Sequence, residues 1–151
     1  MNRVWVYQAD RFLTDNEVEE INSALVSFVS SWTAHGSALA GRGQVRDKLF
    51  LILEVDEKQA GVTGCSIDKS VHFLKGLGQQ FGVDFFDRMK VSFRNDAGEI
   101  SLVSRGKFEE LVKSEQIMAD TIVFNNLVQN SEQLEKEWEI PFRESWHSKV
   151  F

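Results

Sequence analysis

The amino-acid sequence predicts an α+β fold, a single domain over residues 1–151 with a mixed or antiparallel sheet and helices packed mainly on one side. Three observations carry this. Short runs rich in β-formers alternate along the chain with stretches whose apolar residues recur every three or four positions. Asn95-Asp-Ala-Gly98 is hairpin-turn chemistry, so neighbouring strands join directly as well as through helices. At 151 residues, 42% hydrophobic and 26% charged, the chain can take about two-thirds of its unfolded surface out of water in one core.

The elements follow in chain order. Residues 3–7 alternate Val4 and Val6 against Trp5 and Tyr7 and read as the opening strand. Thr14-Asp-Asn-Glu17 matches a capping box, and Val18, Ile21, Leu25, Phe28 and Trp32 then form one apolar stripe, giving a helix that ends near Thr33. A weak strand over residues 37–43, a turn near residues 41–47 and a central strand over residues 49–55 come next. Beyond the loop Gly61-Val-Thr-Gly64, a second helix carries Ile67, Val71, Leu74, Leu77 and Phe81 and stops at Gly82. Residues 88–94 and 99–103 flank the hairpin turn. Phe108, Leu111 and Val112 mark a short third helix, and residues 120–124 a further strand. A last helix starts about Ser131 and is ended by Pro141, the only proline, leaving an irregular tail through Trp146-His147.

Charge excludes some functions. Asp and Glu number 23 against 17 Lys and Arg, with no basic run, which argues against nucleic acid as a partner. The first ten residues lack the apolar core of a secretory signal, and the longest apolar run, residues 49–53, is far short of a membrane span. Cys65 is the single cysteine, so no internal disulfide forms, which suits a reducing, cytoplasmic compartment.

The stretch Gly64-Cys-Ser-Ile-Asp-Lys-Ser70 concentrates polar residues where a helix begins. Free backbone N–H groups there attract an anion, which makes Cys65 a candidate reactive thiol. Ser66, Asp68 and Lys69 are candidate ligand-binding residues on this reading; the alternative is that Ser66 or Asp68 only caps the helix while Cys65 fills space. Lys69-Ser70 after Gly64 is also close to a phosphate-binding loop. The second Gly is missing, the spacing is one residue short and Asp68 would repel a polyphosphate, so no ATPase is indicated. His35, in Trp32-Thr-Ala-His35-Gly36, and His147, in Ser145-Trp146-His147, lie outside the expected regular elements and carry imidazoles suited to general-base work; with Cys65 they form the candidate catalytic set. The paired spacing of a zinc site is absent, so no metal is assigned. Arg88 is a candidate anion contact, and Asn125 and Asn126, after a strand, are candidate ligand contacts or a turn.

On Trp32-x-x-His35-Gly36, Gly64–Ser70, Phe85-Phe-Asp-Arg88, Phe124-Asn-Asn126 and Ser145-Trp-His147, the chain resembles a family of short, uncharacterised bacterial proteins. Members are often labelled "ABC transporter ATPase". The intact phosphate loop and the Leu-Ser-Gly-Gly-Gln signature are both absent here, so the label has no support in the motifs. The resemblance implies a bacterial cytoplasmic protein standing alone, and transfers no catalytic residues.

Two functions follow as expectations. The first is a small-molecule or anion-binding site at the start of the helix after Gly64, with or without catalysis and with no particular cofactor indicated. The second is an interaction domain, homo-oligomeric or otherwise, using Trp138, Phe142 and Trp146 of the aromatic tail. Convergence of Cys65, His35 and His147 on one pocket would favour the first.

Overall fold

A computed structural model describes residues 1–151. Its first strand, β1 (Arg3–Gln8), is followed by α1 (Asp15–Ser31), which opens on the expected capping box: the Thr14 hydroxyl accepts from Glu17 N, and the Glu17 carboxylate accepts from Thr14 N. Arg11 forks onto that carboxylate at 2.9 and 2.8 Å and also donates to Phe81 O. The guanidinium and the Thr14 N–H hold Glu17 down at about 2.

A two-residue hairpin, β2 (Thr33–Ala34) and β3 (Ser37–Ala38), turns at His35 and Gly36, both at positive φ. Then β4 (Ala40–Arg46) runs straight through the residues expected to turn, and the reversal comes later, at Asp47 and Lys48 with φ of 55° and 56°. Gly41 and Gly43 explain the difference. They imitate turn residues in sequence, but in the strand they are places where neighbours approach closely. A Cβ on Gly41 would lie 3.1 Å from the Trp32 ring, and one on Gly43 would lie 3.0 Å from Leu53 and 3.1 Å from Leu25. With no side chains there, α1 and Trp32 pack directly on the strand. Central β5 (Phe50–Asp56) pairs antiparallel with β1 on one side and β4 on the other, and its apolar run is buried throughout.

The next helix, α2 (Gly64–Phe81), ends at Gly82 in the left-handed conformation, as its sequence requires. A second antiparallel sheet, in the order β7-β6-β8-β9, is built from β6 (Lys90–Arg94), β7 (Ile100–Ser104), β8 (Ile122–Phe124) and β9 (Glu139–Pro141). Between them lie α3 (Arg105–Lys113) and α4 (Ser131–Lys136). The α+β class is therefore what forms, with every strand pairing antiparallel and the strands divided between two main sheets and the small hairpin.

Two expectations near the end are corrected. The helix from Ser131 stops at Lys136, five residues before Pro141, and Pro141 instead sits in edge strand β9, where a missing N–H costs least. The tail is not irregular: a 3-10 turn over Phe142–Glu144 leads into the short helix α5 (His147–Val150).

Two hydrophobic clusters result. The larger holds the first sheet, α1 and α2; the smaller gathers Val91, Phe93, Phe108, Leu111, Ile117 and Val123 beneath α3. The sheets are joined by aromatic packing of Phe50 against Phe124 and Trp138, with ring centroids 4.9 Å apart in each pair. Val4 N also donates to Gln129 O. No helix is long and apolar enough to cross a membrane.

Candidate functional site: a cleft at the seam of the two sheets

At the start of α2 the polar residues marked by the sequence are mostly occupied with each other. The N-cap is Thr63, not Ser66 or Asp68, so Gly64, Cys65 and Ser66 form the first helical turn and not a loop leading into it. Ser66 N donates to the Thr63 hydroxyl, Thr63 N donates to the Ser66 hydroxyl, and the Ser66 hydroxyl donates to Thr63 O. Ser66 is fully buried, and its carbonyl accepts from the indole N–H of Trp32 at 2.8 Å. Its polar atoms are spent on the helix end, which leaves none for a ligand.

Cys65, Asp68 and Lys69 are exposed on the outside of that turn, and His35 is exposed at the tip of the β2–β3 hairpin. None of these four lines any of the principal clefts. Cys65 and His35 do not line the cleft that His147 lines, and no three His, Cys, Asp or Glu side chains stand close enough to hold a metal ion. Asn125 makes a turn: its side-chain oxygen accepts from Leu127 N and its amide donates to Glu137 O.

The remaining candidates, Arg88, Asn126 and His147, come together elsewhere. They line a cleft of about 450 Å³ where β1 faces β6, with Trp146 and His147 forming one wall. That volume lies within the roughly 300–1,000 Å³ usual for small-molecule sites. The cleft exists because β1 and β6 belong to different sheets and are linked by side chains, not by a ladder. On β6, Val91 and Phe93 point into the smaller core, which turns Lys90 and Ser92 toward β1. Gln8 bridges the gap. Its amide nitrogen donates to Lys90 O at 3.2 Å, and its oxygen accepts from the Ser92 hydroxyl at 2.5 Å and from the Asn126 amide at 3.2 Å. Asn126 in turn accepts from the Trp138 indole N–H at 2.9 Å. The floor is thus polar, uncharged and internally satisfied.

The charge is at the rim. Arg88, Lys90 and Arg105 line the cleft, and none of them is within salt-bridge distance of a carboxylate. The single acidic lining residue, Asp87, uses its carboxylate to accept from Met89 N. Three cations against one carboxylate leave a formal surplus of two positive charges, in a chain of net charge −6. Phe85, Phe86, Phe124 and Trp146 supply apolar walls. Tyr7 is also a lining residue, and burial pushes its phenol above the ordinary value.

His147 is the one histidine inside this site. It is buried, stacked on Trp146 at 3.8 Å between ring centroids and packed against Phe108. Burial first, and the Arg105 cation second, push its pKa down to about 4, so the imidazole is neutral at pH 7. Neither its Nδ1 nor the Trp146 Nε1 has a hydrogen-bond partner, although both atoms are buried.

The aromatic residues singled out for an interaction surface are dispersed in the fold. Trp138 is only 3% exposed, in the core between Phe50 and Phe124; Phe142 packs on the smaller core, and Trp146 forms the cleft wall.

Gln8, Lys90, Ser92 and Arg105 were missed by sequence reasoning. One signal was readable: Ser92 lies between two core residues of a strand, which puts it and Lys90 on the opposite face. Comparison with known protein families, with curated proteins and with solved structures finds no match for this chain.

Proposed function

We propose that this protein binds a small organic anion, a carboxylate or phosphate carried on an apolar or aromatic body, in the cleft between the two sheets. The observation that carries the reading is the group of three cations without carboxylate partners around a cleft with aromatic walls, in an otherwise acidic protein. A concave site with a surplus of positive charge focuses its field on the opening and raises the local concentration of anions. Arg88 and Arg105 suit oxyanions because a guanidinium presents paired N–H donors to two oxygens at once. The satisfied amide floor fixes the shape of the site, and the aromatic walls take the apolar part of the ligand.

Phenyl phosphate combines both features and serves as a probe. Titration calorimetry with the wild-type protein is expected to give saturable one-to-one binding. Arg105→Gln is expected to weaken it about ten-fold, equivalent to roughly 1.4 kcal/mol, and Cys65→Ser to leave it unchanged. Absence of saturation at millimolar ligand, or equal affinity for wild type and Arg105→Gln, would refute the proposal.

A further inference from the structure

We infer that residues 145–151 form a movable wall of the cleft, which swings outward to admit the anion and then presents the Trp146 indole N–H to it. The inference rests on the anion-binding reading above and concerns how that site opens.

The first support is how the segment is held. The chain is tied to the body by backbone bonds from Phe142 N to Thr121 O and from Arg143 N to Ala119 O. Beyond them every hydrogen bond is local. Backbone bonds run from Ser145 N to Phe142 O, Ser148 N to Ser145 O, Lys149 N to Trp146 O and Phe151 N to His147 O. The Ser145 and Ser148 hydroxyls donate only to carbonyls of residues 142, 143 and 145. The segment can therefore leave the body as a unit without breaking a hydrogen bond to it. Side-chain packing is what keeps it in place: Phe151 edge-on to Phe108 at 4.8 Å, His147 against Phe108 at 5.9 Å, and the Arg105 guanidinium 5.0 Å from the Phe151 ring centre.

The second support is independent. Trp32 and Trp138, both buried, have their indole N–H groups bonded, to Ser66 O and to the Asn126 side chain. Trp146 Nε1 is buried without a partner, and so is Nδ1 of the adjoining His147. A buried polar atom without a hydrogen bond has given up its water and gained nothing in return, which disfavours the closed arrangement. Both such atoms lie on neighbouring residues of one segment, and both residues line the cleft. Outward movement gives each nitrogen a partner, water or ligand, against the loss of the Phe108 contacts. The same movement lifts Phe151 off Arg105 and frees that cation for the anion, so opening the cleft and arming it are one event.

Solvent exchange of the tryptophan indole N–H protons, followed by NMR on the full chain, tests this. In the free protein the Trp146 proton is expected to exchange at least about ten-fold faster than those of Trp32 and Trp138, because opening this segment requires no global unfolding. Saturation with phenyl phosphate should slow Trp146 selectively and shift its resonance downfield. Phe151→Ala, which loosens the segment, should speed Trp146 exchange further and leave Trp32 unchanged. Calorimetric binding of phenyl phosphate with Trp146 as protected as Trp32, free and bound, would overturn this inference alone. Absence of saturable binding would overturn it together with the reading it rests on.

Discussion

The start of α2 and the seam cleft both collect polar and aromatic residues, yet only the seam holds its unspent polar groups around a cleft. At α2, Thr63 and Ser66 bond to each other, Trp32 closes on the Ser66 carbonyl, and what is left, Cys65, Asp68 and Lys69, faces solvent outside the principal clefts. At the seam, the amides of Gln8 and Asn126 are spent on holding two sheets together, while three cations stand without a carboxylate partner, Lys90 donating only to Asp10 O, and two ring nitrogens have no hydrogen-bond partner. The lesson is that polar density in sequence marks a demand for hydrogen bonds, which local capping can meet fully. A binding site needs groups left over after that demand is met.

The contrast can be broken at several points, and the largest effect is expected on the structural side. Trp32→Ala removes a buried ring that packs on Gly41 and bonds Ser66, and should cost about 3–5 kcal/mol in denaturant unfolding. A loss below 1 kcal/mol would mean that this corner is not the structural one. Next comes the acid limb of stability. His147 sits at about 4 in the folded protein against 6.5 when unperturbed, so the unfolded chain takes up that proton first. Its contribution is complete above pH 6.5 and is lost as pH falls from 6.5 through 4, by about 3 kcal/mol at the low end. His147→Phe keeps the stacking and should flatten stability over that window; an unchanged profile would contradict a buried neutral imidazole.

Smaller effects sharpen the same comparison. Removing the cleft cation in Arg105→Gln acts on anion affinity by about ten-fold and on stability little. Thr63→Ala deletes the α2 cap and should cost about 1 kcal/mol of stability while leaving phenyl phosphate affinity untouched. Cys65→Ser, at an exposed position, should stay within about 0.5 kcal/mol of wild type by thermal unfolding.

Local signals in the sequence were reliable where the physics is local. The Thr14 box, the Gly82 stop, the Asn95–Gly98 turn and the apolar stripes of α1 and α2 each depend on residues within a few positions of one another. Strand β4 was partly hidden because its glycines serve Trp32 and Leu25, partners outside the strand. Strand β9 was hidden because Pro141 is tolerated only through its edge position, which is a property of the whole sheet. The cleft was the least legible. It draws on β1, the loop after α2, β6, the first residue of α3, the chain after β8 and the 145–151 segment, and no spacing rule links Gln8 to Ser92 or Arg105 to His147. Arg88, Asn126 and His147 were singled out as residues, but their association with one another depends on the tertiary fold.

The most direct measurement is a heteronuclear NMR titration with phenyl phosphate, following backbone amides at both places. Ser92, Arg105 and Asn126 are expected to shift together along one saturating curve, while Gly64, Cys65 and Ser66 stay fixed. Saturating shifts at residues 64–66 with the seam amides unmoved would contradict the account.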